Sequence, residues 1–313
     1  MEERIAERDD EIEGFEELSA EEKVAIGKWF LLKSPPGQIR QVAKDVQTVL
    51  MDDSLFTKAA EEAFPEYNVK HMIPVELPDH SGKVLVTKYA EVDNSHYLDP
   101  RTAVVATIDH IKQVCTNMRP AADDELPTAL MEEYRISVDA ELLKYVEEAY
   151  PGGECAVYCT CGKNVDKQEG EIELAAVISN ASFSSKNFRG GSWRAVWRIQ
   201  INEELHAAEL QGQINVNAHY FEEGNVQLDT SYECHDSIQF QDAGDMGAGI
   251  VNVVERLESE YLSSLEDSYA KLSDRTFKEL RRKLPVTRTL FSWDKALQLS
   301  LSRDLAREFT SKR

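Results

Sequence analysis

The sequence predicts an α+β protein with helices at its N-terminus, a central antiparallel sheet and one long helix after the sheet. Three observations support this class. Apolar residues recur at helical spacing between residues 19 and 66. Five β-like segments follow residue 151 with no helical pattern between them, so parallel crossover connections are disfavoured. The spacing becomes helical again from Ala243 to Leu272.

The N-terminal segment predicts a three-helix stalk over residues 19–66. Ser19 and Glu22 have the spacing of a capping box and open the first apolar run, which ends before Pro35-Pro36-Gly37. A second run begins at Ile39, and Asp52 is placed to cap a third. Short turns between the helices indicate an antiparallel stack.

Residues 67–150 predict a mixture of short strands and helices. Strands are expected over His71–Leu77 and Lys83–Thr87. Asp99 before Pro100 has the form of a helix start. The apolar positions that predict a helix after it are Val104, Val105, Ile108, Ile111 and Cys115. A further helix is expected from about Thr128 to Ala149.

Residues 151–240 predict an antiparallel meander, and residues 241–275 the long helix. The expected strands are Cys155–Cys161, Glu171–Ser182, Ser192–Ile201, His206–Tyr220 and Val226–Cys234. The apolar residues of the long helix, between Ile250 and Tyr269, spread over about 180°, whereas a helix on one sheet needs about 100°. Either a thick core within the chain or a second subunit would cover this arc, and we expect the long helix at a dimer interface.

Chemistry-bearing motifs are scarce. Cys155, Cys159 and Cys161 share one side of a predicted strand, and two interpretations follow. They are buried thiols, or they bind zinc with Cys234 or His235 from a distant strand. The segment from His219 to Gly224 is interpreted as a strand end and turn with solvated carboxylates. We therefore predict no enzyme, no catalytic residue, no metal site and no cofactor.

Composition and charge exclude several classes. The 313 residues carry a net charge of −22 and are 42% hydrophobic, which is too apolar for a largely disordered chain. An acidic protein repels the phosphates of nucleic acids. The sequence contains no membrane-spanning run and no secretory signal, and its five cysteines do not form a disulfide framework. Residues 1–18 are expected to form a disordered acidic extension.

The C-terminal segment, residues 276–313, carries the opposite charge. From Phe277 to Arg313 there are ten Lys and Arg residues but only four Asp and Glu residues. The cations flank Pro285, which predicts a basic bend: Lys278, Arg281, Arg282, Lys283 and Arg288. Large apolar residues then recur every four positions: Trp293, Leu297, Leu301, Leu305 and Phe309. Three interpretations of this predicted amphipathic helix stay open. It docks on the core of its own chain, it binds in a groove of a partner, or it lies on a membrane surface.

Four blocks resemble the F-actin capping protein alpha subunit family. They are Tyr97–Arg101, Gly191–Arg194, Ala218–Leu228 and Phe277–Thr289, and they occur in the family's order. The resemblance extends from about Lys28 to the C-terminus. Around Tyr97–Arg101 and Glu125–Pro127 it is nearest to the plant members. The acidic extension and the cysteine cluster are departures from the family pattern.

The resemblance implies the alpha subunit of an obligate heterodimer with a capping protein beta subunit. Such a dimer binds filament barbed ends in the cytoplasmic actin cytoskeleton and blocks subunit addition and loss, without Ca²⁺ or a cofactor. It also implies that residues 276–313 form an actin-binding tentacle, whose expected contacts are Lys278, Arg282, Arg288, Trp293, Leu297 and Leu301. Anionic phospholipids such as phosphoinositides are expected to compete for the basic residues: Lys278, Arg281, Arg282, Lys283 and Arg288.

Two other functional classes follow from the same residues. A peripheral protein that binds anionic lipid through its basic amphipathic C-terminus would sediment with acidic vesicles in the absence of a partner. A metal-dependent enzyme built on the cysteine cluster would carry stoichiometric zinc.

Overall fold

The computed structural model describes residues 18–78, 82–160, 172–222 and 226–271. It contains helices and antiparallel sheets, as the sequence predicts. The helices of this part are α1 (Ala20–Leu32), α2 (Ile39–Leu50), α3 (Asp53–His71), α4 (Ala129–Ala149) and α5 (Ala243–Lys271). The chain divides into two units, Met1–Glu255 and Arg256–Arg313, and the boundary lies within α5.

The first three helices form one packed group with its own core. The Ser19 side chain and the Glu22 carboxylate bond reciprocally to each other's backbone N–H, which confirms the capping box of α1. The Asp52 carboxylate accepts bonds from two backbone N–H groups at the start of α3. The buried core of the group is Leu31, Ile39, Ala43, Val46, Ala59, Ala60, Ala63, Phe64 and Tyr67.

Short strands follow the helices. They are β1 (Pro74–Glu76), β2 (Lys83–Leu85), β3 (Glu91–Asp93), β4 (His96–Asp99), β5 (Val104–Asp109) and β6 (Val114–Pro120). Strands β1 and β2 form an antiparallel pair, and β3 to β6 form a sheet in sequence order. The predicted strands around Val75 and Val84 are therefore confirmed, but the first one begins at Pro74, because His71 still belongs to α3.

The helix predicted after Pro100 is wrong, because the segment folds as β5, a turn and β6. The Asp99 carboxylate accepts bonds from the Arg101 backbone N–H and the Thr102 hydroxyl, so it closes a turn instead of capping a helix. In β5, Val105 and Ile108 are buried on both sides of the strand, where β-branched side chains fit well.

The second sheet is the predicted antiparallel meander. Its strands are β7 (Glu154–Cys159), β8 (Ile172–Ser184), β9 (Arg189–Asn202), β10 (Ala207–Tyr220) and β11 (Val226–Gln239). They lie side by side in sequence order, with β7 and β11 at the edges. Each pair is antiparallel, as short connections require.

Both faces of this sheet are covered. On one face, Tyr158, Val177 and Val196 join the core formed by β1 to β6. On the other face lies α4, which carries the buried residues Val138, Leu142 and Val146. The start of α5 also lies near the sheet, since a Cβ added at Gly249 would come within 3.1 Å of Ile238 Cδ1.

Candidate functional site

The residues that the sequence predicts for actin and lipid binding all lie outside the described residues. They are Lys278, Arg281, Arg282, Lys283, Arg288, Trp293, Leu297 and Leu301. The described part contributes the fold that precedes this segment.

Strand β11 forms one long edge of the larger sheet. Its 14 residues pair with β10 on one side, and no other described strand pairs with its opposite side. At about 3.4 Å per residue, this edge extends over nearly 50 Å. Val226, Leu228 and Tyr232 are exposed along it. Exposed apolar side chains at the edge of a sheet are typical of a protein–protein contact surface.

The apolar residues of α5 differ in their exposure. Ile250, Val254, Leu257 and Tyr261 are buried, whereas Leu262 is 49% exposed. Both explanations for the wide apolar arc stay predictions. Glu258 is also buried, at 1% exposure.

The cysteine cluster does not assemble a zinc site with Cys234 or His235. Cys155 and Cys159 lie on the α4 side of β7, where their Sγ atoms lie 3.4 Å from Arg101 Nη2 and 3.8 Å from the Met131 carbonyl oxygen. Strand β7 is one edge of the sheet and β11, which carries Cys234, is the other, so three strands separate them. Burial raises the pKa of the Cys155 thiol to about 11, opposite to what a metal-binding thiolate requires.

Metal binding finds no other support in the described ranges. They contain no group of three or more His, Cys, Asp and Glu side chains arranged to hold an ion. Cys161 lies outside them.

The block around His219 joins the sheet to the N-terminal helices. His219 and Tyr220 end β10, as the sequence predicts. The imidazole Nδ1 of His219 lies 2.8 Å from Gln38 Nε2, at the start of α2. Its ring contacts Phe221, which also stacks on Phe183. This environment is that of a packing residue.

The block at Tyr97–Arg101 ties the smaller sheet to α4. Arg101 donates two hydrogen bonds of 2.8 Å to the Asp139 carboxylate in a bidentate pair. The side chain of Asp139 is only 11% exposed. Two of the blocks that carry the resemblance therefore hold the described fold together and do not form a reactive site.

Comparisons with known proteins agree with this α+β architecture. The model of the family described as F-actin capping protein alpha subunit matches residues 27–304. The F-actin-capping protein subunit alpha of Arabidopsis thaliana is 50% identical over 93% of this chain and 95% of its own length. That of Dictyostelium discoideum is 35% identical over 92% of this chain and 99% of its own length.

The solved structure of a homodimeric actin capping protein alpha subunit from Plasmodium berghei has the same fold. The TM-score is 0.66 at 20% identity, over 79% of this chain and 92% of that one. This chain belongs to the F-actin capping protein alpha subunit family, which is a family of structural actin-binding proteins and not of enzymes. Over the described ranges, no helix has both the length and the apolar character of a membrane span.

Proposed function

We infer that this chain is the alpha subunit of a heterodimeric actin capping protein. The dimer binds filament barbed ends independently of Ca²⁺ and blocks subunit addition and loss in the cytoplasmic actin cytoskeleton. The observation that carries this proposal is the 50% identity with the Arabidopsis thaliana subunit, which spans nearly the full length of both chains. No cofactor is required, because capping is steric exclusion.

The partner in this proposal is a capping protein beta subunit, and the dimer is obligate. The exposed apolar side chains of the edge strand β11 support the proposal, because a partner subunit would cover Val226, Leu228 and Tyr232. A homodimer is the competing arrangement, since the solved Plasmodium berghei alpha subunit is homodimeric. The mass of the assembly purified after co-expression with a beta subunit distinguishes the two.

The C-terminal segment supplies the actin contacts in this proposal. Its cations attract the acidic actin surface and raise the association rate, because opposite charges steer encounter. Its apolar positions are buried on the filament end and slow dissociation. The proposed contacts are Lys278, Arg282, Arg288, Trp293, Leu297 and Leu301.

Kinetics at single barbed ends test these roles. Arg282→Glu or Arg288→Glu in the heterodimer should lower the association rate severalfold and flatten its dependence on salt. Removal of residues from Phe291 onward should mainly raise the dissociation rate. Lys58→Glu, the same charge change at an exposed position of α3, is the matched control. A truncated dimer that dissociates at the wild-type rate would refute the tentacle role.

Binding to anionic lipid is the second candidate, and the cluster of cations beside an amphipathic sequence pattern favours it. The residues concerned are Lys278, Arg281, Arg282, Lys283 and Arg288. Sedimentation of the heterodimer with phosphoinositide-containing vesicles, with and without actin filament ends, measures whether lipid competes with capping. Vesicle binding by a dimer that does not cap would favour the lipid function over the actin function.

A further inference from the structure

A cleft of about 500 Å³ lies between the N-terminal helices and the larger sheet. One wall is formed by the C-terminal ends of α1 and α3, and the other by β9, β10 and β11. Sites for small molecules usually have volumes of about 300–1,000 Å³. The cleft is therefore large enough to hold one.

Arg194 is a buried cation in the wall of this cleft. The residue is 4% exposed. Its Nη1 donates to the Lys70 carbonyl oxygen at 2.9 Å, and its Nη2 donates to Asn217 Oδ1. These two bonds fix the guanidinium plane, whereas Nε is buried and has no hydrogen-bond partner among the described residues. Because buried polar groups are almost always paired, this Nε–H indicates a ligand that supplies an acceptor.

The ionised side chains around the cleft leave an excess of positive charge. Among its described lining residues, the Lys, Arg, Asp and Glu side chains are three cations, Lys33, Lys70 and Arg194, and one anion, Asp229. Two positive charges are therefore in excess, in a protein whose net charge is −22.

The pKa values of the buried groups agree with this excess. Burial, together with the positive charges of Arg194 and Lys70, lowers the pKa of His71 to about 3, so this imidazole adds no charge at pH 7. Burial also lowers the pKa of Arg194, against the attraction of Asp229. A buried cation in this condition is stabilised by a bound anion.

We propose that the cleft binds the phosphate group of a small soluble phosphate ester, held by Arg194 with Lys33 and Lys70 beside it. A phosphate monoester carries a charge of about −1.5 to −2 at pH 7, which matches the two positive charges in excess. A carboxylate would balance only one of them. The planar guanidinium fork fits phosphate oxygens, and the lysines attract the same group as point charges.

The other lining residues favour an ester that carries hydroxyl groups. A single phosphate group is much smaller than the cleft. Amide and hydroxyl side chains, which hydrogen-bond to the hydroxyl groups of a sugar, line the rest of it: Ser34, Asn215, Asn217, Thr230 and Ser231. We therefore expect a sugar phosphate to bind more tightly than inorganic phosphate.

Isothermal titration calorimetry tests the site on the purified full-length protein, together with a beta subunit where one copurifies. The probes are inorganic phosphate and glucose 6-phosphate, at constant ionic strength in sodium chloride, so that screening is the same throughout. Arg194→Met should weaken the binding of both probes at least about tenfold, because a charge-assisted hydrogen bond in a buried site is lost.

The lysines provide a second set of variants. Lys33 and Lys70 are exposed, so Lys33→Gln with Lys70→Gln keeps the test decisive if Arg194→Met does not fold. This pair should weaken the binding of both probes severalfold. Lys58→Gln removes the same charge from an exposed position of α3 and is the matched control, which should bind both probes as the wild type does.

The remaining outcomes overturn the proposal in distinguishable ways. Acetate that binds as tightly as inorganic phosphate would assign the cleft to a carboxylate. Vesicles containing phosphatidic acid present a phosphate monoester on a lipid, and Arg194-dependent binding to these vesicles without binding of the soluble probes would refute a soluble ligand. Phosphate binding that neither Arg194→Met nor the lysine pair changes, or no binding of any probe, refutes the site itself.

Discussion

Replacing Gly212 with alanine is expected to destabilise the larger sheet, because Gly212 lies between two buried side chains of the neighbouring strands. Gly212 pairs with Trp197 on β9 and with Cys234 on β11. A Cβ at this position would lie 2.7 Å from both Trp197 Cε3 and Cys234 Sγ, and nearer still to Trp197 Cζ3. Trp197 is fully buried, so its ring has no free space into which to move.

The expected magnitude follows from that geometry. Ordinary carbon contacts are about 3.5–4.0 Å, so the indole must retreat by about 1 Å or the strands must separate. Overpacking of this kind costs about 1–3 kcal/mol, occasionally more. The reduced backbone entropy of alanine in the unfolded chain offsets about 0.5–1 kcal/mol of this. Contacts this short belong at the upper end of that range, so the net loss is about 2 kcal/mol, or roughly 5 °C in the melting temperature.

Thermal unfolding of the purified protein, at one fixed concentration, measures this loss. Trp197→Phe should relieve the clash. The double variant should therefore lose about 1 kcal/mol less unfolding free energy than the two single variants lose together. Gly244→Ala, in the first turn of α5, is the control and should not lower the melting temperature. An unchanged melting temperature for Gly212→Ala would refute the packing argument.

Two further predictions concern charged groups. The pKa of His71 is about 3 in the folded protein and 6.5 in the unfolded chain. Between pH 8 and pH 5 only the unfolded chain takes up the proton. The free energy of unfolding should therefore fall by about 2 kcal/mol over this range. His71→Phe keeps the stacking on Tyr67 and should remove this part of the pH dependence in urea titrations; identical pH profiles would contradict it. Asp139→Asn leaves the Arg101 guanidinium without its carboxylate and should cost about 2 kcal/mol in the same titrations, whereas an unchanged midpoint would contradict the role of the pair.

The fold could be predicted wherever local pattern and local chemistry agree. The capping box at Ser19, the cap at Asp52 and the five strands of the larger sheet were predictable, because their hydrogen bonds or alternation involve neighbouring residues. The segment after Asp99 was not. An aspartate that caps a helix and one that closes a turn make the same first hydrogen bonds, and the apolar spacing that follows fits both periods.

The candidate site was also predictable only in part. The basic and amphipathic pattern of residues 276–313 can be recognised in the sequence, although that segment lies outside the described residues. The cleft around Arg194, between the N-terminal helices and the larger sheet, could not be predicted. It depends on contacts between Arg194, the Lys70 backbone and β11 that form only on folding. An arginine in an alternating strand predicts a surface position, and here it is 4% exposed.

The separation of Cys155 from Cys234 was likewise beyond the sequence. Their segments alone do not show that β7 and β11 occupy opposite edges of the sheet. The strand order does, and it removes the ligand set on which the zinc interpretation depended.

Seeded actin elongation from barbed ends is the most direct test of the central claim. The assay compares this chain alone with the chain co-purified with a capping protein beta subunit, in the presence of Ca²⁺ and of a chelator. We expect the pair to stop elongation at nanomolar concentration in both conditions, and the single chain to have little effect. A well-folded pair that leaves barbed-end growth unchanged would contradict the proposed function.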